Sequence, residues 1–165
     1  MKDNELDFIE SAIKSRINKN IKEIKKKYQA TIDGAEPTDF HSKCDNISNT
    51  LTLVKSLGNK RFGGFTSNSW DSIGQYKDDQ NAFIFSIDKQ KIYPYKTKGF
   101  AIYCNKDFGP IFGAGFDIWI EGNILKNDGL TCYKSSYVHN CDFLEVTQPK
   151  FTKALDYEVF QIIFE

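Results

Sequence analysis

The sequence lacks the features that mark membrane and exported proteins. No run of about 18 apolar residues occurs, so no transmembrane helix and no membrane insertion are predicted. The start has no secretory apolar stretch. It is also rich in acids, which mitochondrial presequences avoid; these are Asp3, Glu5, Asp7 and Glu10. We therefore expect a cytoplasmic protein, or one in an assembly that contacts the cytoplasm.

Charge of one sign is not in excess. The 22 lysines and arginines balance 22 acidic residues. A chain without net charge has no general attraction to nucleic acid or to anionic membranes. The composition therefore predicts no nucleic-acid partner.

Residues that carry metal or thiol chemistry are few. The four cysteines, at positions 44, 104, 132 and 141, form no CxxC pair, and the chain has two histidines. Zinc sites need closely spaced ligands, so no metal and no cofactor are predicted. Buried free thiols are the favoured interpretation. A Cys–His nucleophile formed by Cys44 and His41 is the alternative, and no orienting third group stands out.

Large apolar side chains are abundant. Aromatic residues make up 15% of the 165-residue chain, with 14 Phe and 8 Tyr. Such a composition excludes a disordered chain, and a single domain of this length can bury its own core.

The first 28 residues show helical periodicity. Apolar residues recur at steps of three and four from Leu6 to Tyr28, which places them on one face of an α-helix. We expect residues 1–28 to form a long amphipathic helix, packed on its own domain or docked on a partner. Seven side chains are candidate partner contacts, five on this stripe and two aromatic: Ile9, Ile13, Ile17, Ile21, Ile24, Trp70 and Tyr76.

The rest of the chain, residues 29–165, alternates with the period of β-strands. A short helix is expected after Glu36-Pro37. Strands separated by turns are predicted at 50–54, 61–66, 82–87, 92–95, 100–104, 115–120 and 156–163. The fold class is therefore α+β, mostly β: a two-sheet antiparallel β-sandwich with flanking helices and the long N-terminal amphipathic helix.

Two glycine clusters and one pair of acids are further candidate functional features. Gly63-Gly64 within a strand indicates a bulge or a close backbone contact, with a ligand loop as the alternative. The cluster 113–115 is not a GxGxxG motif followed by a helix, so tight turns with positive φ are favoured over dinucleotide binding. Asp78 and Asp79 are interpreted as solvated turn residues.

Seven short motifs in order resemble the TLDc domain family from about residue 28 to 163. They are Ala30–Gly34, Phe40–Asp45, Thr50–Lys55, Phe62–Ser67 with Trp70, Asp79–Ser86, Ala101–Tyr103 with Phe108–Asp117, and Asp156–Phe160. The chain departs from the family at Gly113-Ala114-Gly115, where an unbroken glycine run is common, and at 145–148, where a small-residue motif is common.

The resemblance implies a sandwich of two antiparallel sheets with flanking helices. It also implies two functional themes: protection against oxidative stress, and binding to the peripheral part of the proton-pumping vacuolar ATPase. It assigns no catalytic residue to this chain.

Three hypotheses follow for function. The first is a protein-binding module that docks on a large complex, such as the vacuolar ATPase. The second is a structural constituent of a stable assembly, such as a ciliary axoneme or another microtubule-associated structure. The chain favours this role because it contains little besides the predicted helix and the domain. The third is a peroxide-scavenging enzyme, which would need an accessible cysteine of lowered pKa.

Overall fold

The computed structural model describes residues 3–133, 135–138 and 152–165. His139, Cys141 and the segment 145–148 lie outside these residues. Within them the chain forms three helices, α1 (Asp3–Ile17), α2 (Ala30–Asp33) and α3 (Pro37–Cys44). The strands are β1 (Ile21–Gln29), β2 (Thr50–Ser56), β3 (Arg61–Thr66), β4 (Ile73–Lys77), β5 (Phe83–Ser86), β6 (Lys91–Pro94), β7 (Ile102–Asn105), β8 (Phe108–Phe112), β9 (Ile118–Glu121), β10 (Leu130–Thr131) and β11 (Ala154–Phe164). No helix among the described residues is long and apolar enough to cross a membrane.

The strands build two antiparallel sheets. A six-stranded sheet has the order β1-β11-β2-β3-β5-β6, and a five-stranded sheet has the order β10-β9-β8-β7-β4. All the strand pairs within the sheets are antiparallel. The predicted mostly-β sandwich is confirmed.

The main core lies between the two sheets, where their inner faces meet. Trp70 lies at its centre, 1% exposed, and its indole N–H donates to Thr50 Oγ1 at 2.8 Å. The rings of Phe40 and Phe112 meet Trp70 edge to face, at centroid distances of 5.8 and 5.7 Å. Because a buried indole N–H needs a partner, the Thr50 hydroxyl makes this burial possible.

A second core lies on the outer face of the six-stranded sheet, beneath α1. Ile9 and Ile13 are fully buried there, in one cluster with Phe65, Phe83 and Phe85. A cation–π contact and an ion pair also join the helix to the sheet. The Arg16 guanidinium lies 4.7 Å from the centroid of Phe83, and an oxygen of Glu5 lies 2.7 Å from Arg61 Nη1. Of the two alternatives for the N-terminal helix, the structure therefore has the one in which it packs on its own domain.

The predicted length of this helix was wrong. The helix ends at Ile17, where Asn18 takes a φ of 55° and its N–H donates to Lys14 O at 2.9 Å. Asparagine often adopts this left-handed conformation where a helix ends. The chain then bends at Lys19 and continues as β1, which runs along β11 from Ile21 to Gln29.

Two irregularities in β1 produce the helix-like spacing. The register with β11 shifts between Ile21 and Glu23 and again between Lys26 and Tyr28. Each bulge adds one residue and so changes which face the following side chains meet. Ile21 and Ile24 therefore share the α1 face, whereas Tyr28 lies in the inter-sheet core. The predicted division of the chain at residue 28 stays a prediction, although it separates β1 from the strand it pairs with.

The structure also clarifies the glycines and the acidic pair. A Cβ on Gly63 would lie 1.8 Å from Thr52 O, so the backbone contact is the reason for glycine there. Gly113 has a φ of 85°, as expected of a tight turn. The prediction that Asp79 is solvated was wrong: it is 6% exposed and accepts hydrogen bonds from Thr66 and Ser67.

Candidate protein-binding surface

The described cysteines are buried, and burial opposes ionisation of their thiols. Burial, with a smaller contribution from Asp45, raises the pKa of Cys44 to about 12. Burial likewise raises the pKa of Cys104 to about 11, and Cys132 is fully buried. A reactive cysteine needs the opposite shift. These three thiols therefore lack the environment that the peroxide hypothesis requires, while Cys141 lies outside the described residues.

His41 is held by groups other than Cys44. Its Nδ1 lies 2.6 Å from Asp45 Oδ1, and its Nε2 lies 2.9 Å from the carbonyl oxygens of both Asn105 and Phe108. Ser72 Oγ also faces Nδ1, at 3.3 Å. In a Ser-His-Asp triad the serine and the carboxylate use opposite ring nitrogens, which is not the case here.

His41 therefore ties α3 to the ends of β7 and β8 and has a structural geometry. Within the described ranges, no group of three or more His, Cys, Asp or Glu side chains is arranged to hold a metal ion.

The outer face of the five-stranded sheet carries a row of aromatic rings in mutual contact. We call it the aromatic surface and define it as Tyr76, Phe100, Tyr103, Phe108, Phe116 and Trp119. Along the row, ring centroids are separated by 5.2 Å (76 to 100), 4.5 Å (76 to 103), 6.4 Å (103 to 116), 4.8 Å (116 to 119) and 5.5 Å (119 to 108).

Strand alternation explains why the rings point outward. Tyr103 lies between Ile102 and Cys104, and both of these neighbours are buried in the inter-sheet core. In the same way, Trp119 is flanked by two isoleucines of that core. Successive side chains in a strand point to opposite faces, so the rings take the outer face. Tyr76 lies directly opposite Tyr103 in the β4–β7 register.

The aromatic surface is partly open to solvent. Tyr76 is 38% exposed and Phe100 is 39% exposed, and the other four rings are half-buried. Ile73 on the same strand as Tyr76 is 66% exposed. Aromatic rings that are half-exposed and in contact are typical of protein interfaces, because tyrosine and tryptophan bury much area with few rotamers to fix.

The surface carries little charge of its own. Burial, and then the nearby Tyr103, raises the pKa of Tyr76 above its ordinary value, so its hydroxyl is neutral at physiological pH. Two lysines at the margin are paired locally: Lys77 with Asp71 at 2.5 Å and Lys106 with Asp107 at 2.9 Å. The arrangement suits an apolar partner surface more than a charged one.

The seven predicted contact residues do not form one surface in the structure. Ile9, Ile13 and Trp70 are buried within the chain and offer no surface in this conformation. Three others are half-buried around the second core: Ile17, Ile21 and Ile24. Tyr76 is the member that lies on the aromatic surface.

Sequence reasoning missed the other five rings of the aromatic surface, although a signal for some of them was present. Tyr103 and Trp119 alternate with buried aliphatic residues within predicted strands, at positions where a one-sided strand normally has a polar residue. An aromatic residue at such a position indicates an outer face adapted to contact.

Comparisons with known proteins agree with the sequence motifs. The family model described as the TLDc domain matches residues 1–163 of this chain. A curated relative, "MTOR-associated protein MEAK7" of Danio rerio, is 31% identical over 68 residues, which is 41% of this chain. The matched segment is 14% of that relative's length.

Proposed function

Because the chain belongs to the TLDc domain family, we propose that it is a non-catalytic protein-binding module that docks on a large complex through the aromatic surface. One observation carries the proposal: six contacting rings lie outside both cores on one sheet face, and two of them are more than a third exposed. Interfaces concentrate their energy in such central aromatic side chains.

The proposed partner is the peripheral part of the vacuolar ATPase, with a role in its regulation or in protection against oxidative stress. The family resemblance supports this proposal, because it implies both vacuolar ATPase binding and protection against oxidative stress. The neutral and aromatic character of the surface is also suited to binding a protein. The name of the curated relative describes association with mTOR, which is a further protein-complex context for that relative.

Copurification tests the proposal. The chain is tagged at its C-terminus and purified gently from its own cells, as wild type and as the double variant Tyr76→Ser, Phe100→Ser. The matched control is the double variant Ile32→Ser, Leu57→Ser, since these side chains are 75% and 52% exposed and lie in α2 and directly after β2, outside the five-stranded sheet. We expect vacuolar ATPase subunits with the wild type and the control, and their loss from the double variant.

Other outcomes would contradict parts of the proposal. Tubulin and axonemal proteins in place of ATPase subunits would favour the structural-constituent alternative. Equal recovery with both double variants would exclude the aromatic surface as the docking site. A chain that purifies alone would contradict docking and would leave the peroxide hypothesis to be tested with a peroxide assay.

A further inference from the structure

The edge of the six-stranded sheet is a second surface with a different character. Strand β1 pairs with β11 on one side, and its other side has no strand partner among the described residues. Nine residues at about 3.3 Å each give an edge roughly 30 Å long. Alternate N–H and C=O groups along such an edge lack a ladder partner and are available to an added strand. The last residue is an exception, because the Gln29 N–H donates to Asp33 Oδ2 at 2.8 Å.

This edge is strongly basic although the whole chain is neutral. We call it the basic edge and define it as residues 19–27, which contain the single acid Glu23 and five lysines: Lys19, Lys22, Lys25, Lys26 and Lys27. Lys26 is paired with Glu158. In the part of the chain that the structure describes, the other four lysines form no ion pair, and three of them are exposed.

We propose that the basic edge binds an extended acidic segment of a partner protein, which adds to the six-stranded sheet as a further strand beside β1. The main chain of that segment would supply the missing ladder hydrogen bonds, and its carboxylates would neutralise the unpaired lysines. Strand addition is a common mode of peptide recognition, in which main-chain bonds give affinity and side chains give specificity.

The same lysines determine which strands are rejected. Lysine on an edge strand ordinarily prevents edge-to-edge association. A second copy of β1 would place lysines against lysines, and like charges directly opposite each other are destabilising. An acidic strand reverses the sign of this interaction, so the edge is selective for acid.

The two bulges of β1 limit the part of the basic edge on which an added strand could pair regularly. Between the two register shifts, the segment from Glu23 to Lys26 pairs with β11 without interruption. Its opposite side is therefore the regular part of the edge, with Lys25 and Lys26 inside it and Lys22 and Lys27 at its ends. A nucleic acid could neutralise these lysines, but its phosphodiester backbone has no N–H groups with which to complete a β-ladder.

Labelled peptides test the proposal on the intact chain. The probe is a fluorescein-labelled ten-residue peptide of alternating Glu and Thr, compared with an isomer that has Lys for Glu. A third peptide keeps the Glu residues and is N-methylated at alternate amides along one edge. By fluorescence anisotropy we expect the acidic peptide to bind, the lysine peptide not to bind, and the N-methylated peptide to bind at least about tenfold more weakly.

Protein variants and hydrogen exchange locate the site. Lys22→Glu with Lys25→Glu is expected to abolish binding of the acidic peptide, whereas the control Lys96→Glu with Lys98→Glu keeps it. The acidic peptide should also slow amide exchange within residues 23–26. The N-methylated peptide needs no protein variant, so the test holds even if a charge reversal destabilises the fold.

Three results would overturn the proposal. They are equal binding of the N-methylated and unmodified acidic peptides, equal loss in the control variant, or tighter binding of a ten-nucleotide oligothymidylate than of the acidic peptide. None of these results bears on the aromatic surface, which lies on the other sheet, so failure here and failure of the docking proposal are distinguishable.

Discussion

The outer faces of the two sheets differ although their strands alternate alike. On the six-stranded sheet, α1 covers the outer phenylalanines and buries Ile9 and Ile13 completely. On the five-stranded sheet, the outer side chains are also large and aromatic, yet Tyr76 and Phe100 remain more than a third exposed. A sheet face that is apolar and open is the expected state of a surface that another molecule covers.

Large apolar side chains on both faces of a strand therefore have two different explanations in this fold. One sheet needs its second apolar face for the chain's own stability, because a helix of the same chain packs on it. For the other sheet, we propose that an external contact accounts for the same pattern. Changes beneath α1 should therefore alter folding, and changes on the aromatic surface should alter binding.

The largest effect is expected from uncovering the six-stranded sheet. Ile9→Ala with Ile13→Ala removes two fully buried side chains, at a cost of about 2–5 kcal/mol each in the free energy of unfolding. Urea denaturation followed by circular dichroism measures this loss. The matched control is Ile32→Ala with Leu57→Ala, both exposed, which should cost less than about 1 kcal/mol. Similar losses in the two variants would mean that α1 does not cover the sheet in solution.

The second prediction concerns the open face. Tyr76→Ser with Phe100→Ser should weaken partner binding by about 2–4 kcal/mol, since central aromatic side chains carry most interface energy. The free energy of unfolding should change by less than about 1–2 kcal/mol, because both rings are already partly solvated. Binding titrations and urea denaturation of the same samples measure the two quantities. A larger loss of stability than of binding would remove the distinction between the two outer faces.

The third prediction concerns the interior that both sheets share. Burial raises the pKa of Cys44 to about 12 and that of Cys104 to about 11, above the ordinary thiol pKa of 9.0. As the pH rises, the thiols of the unfolded chain lose their protons before the thiols of the folded chain do. Their contribution to stability is therefore complete below pH 9 and is lost as the pH rises from about 9 to 12.

Between these pH values we expect the free energy of unfolding to fall by roughly 1 kcal/mol per pH unit for each thiol. Urea denaturation between pH 8 and 11 measures the slope. The variant Cys44→Ala with Cys104→Ala should have a shallower slope than the wild type, and an unchanged slope would show that these thiols are not buried.

The smallest effect is expected where α1 ends. Asn18 has a φ of 55°, which a residue with an ordinary Cβ adopts at a cost. Asn18→Ala should lower the free energy of unfolding by about 1 kcal/mol, and Asn18→Gly should leave it unchanged or raise it slightly. Thermal unfolding of the wild type and the two variants measures their order of stability. If alanine and glycine behave alike, Asn18 does not determine where the helix ends.

Much of the sandwich could be predicted because period-two alternation is local. Thr50–Ser56 and Arg61–Thr66 form the hairpin that their pattern indicates, and β5, β7, β9 and β11 lie within a few residues of the predicted strands. The short strand β4 was missed, since Gly74 and its four exposed or half-buried neighbours lack an apolar alternation.

The error in the N-terminal segment has a tertiary origin. Ile21, Ile24 and Tyr28 continue the helical spacing of Ile9 to Ile17, and two bulges in a strand imitate that spacing. Asn18 and Asn20 were the local signals of a break. The pairing with β11 that decides the outcome joins residues far apart in sequence, so periodicity within the segment could not determine it.

The candidate site was less accessible to sequence reasoning than the fold. Tyr76 is among the predicted contact residues, but the rings it meets, Phe100 and Tyr103, come from a later segment of the chain. Trp70, chosen for the same reason, is buried because its indole N–H meets Thr50 across the interior. A single aromatic residue in a sequence does not show which face it takes; neighbouring strands decide that.

Site-specific photo-crosslinking in cells tests whether the aromatic surface is the docking surface. A benzoylphenylalanine is placed at position 76 on the aromatic surface, and in a matched protein at position 57, which is exposed and directly follows β2 of the six-stranded sheet. We expect irradiation in the protein's own cells to join position 76, and not position 57, to a subunit of one large assembly. Crosslinks of equal yield at both positions, or at position 57 alone, would contradict this expectation.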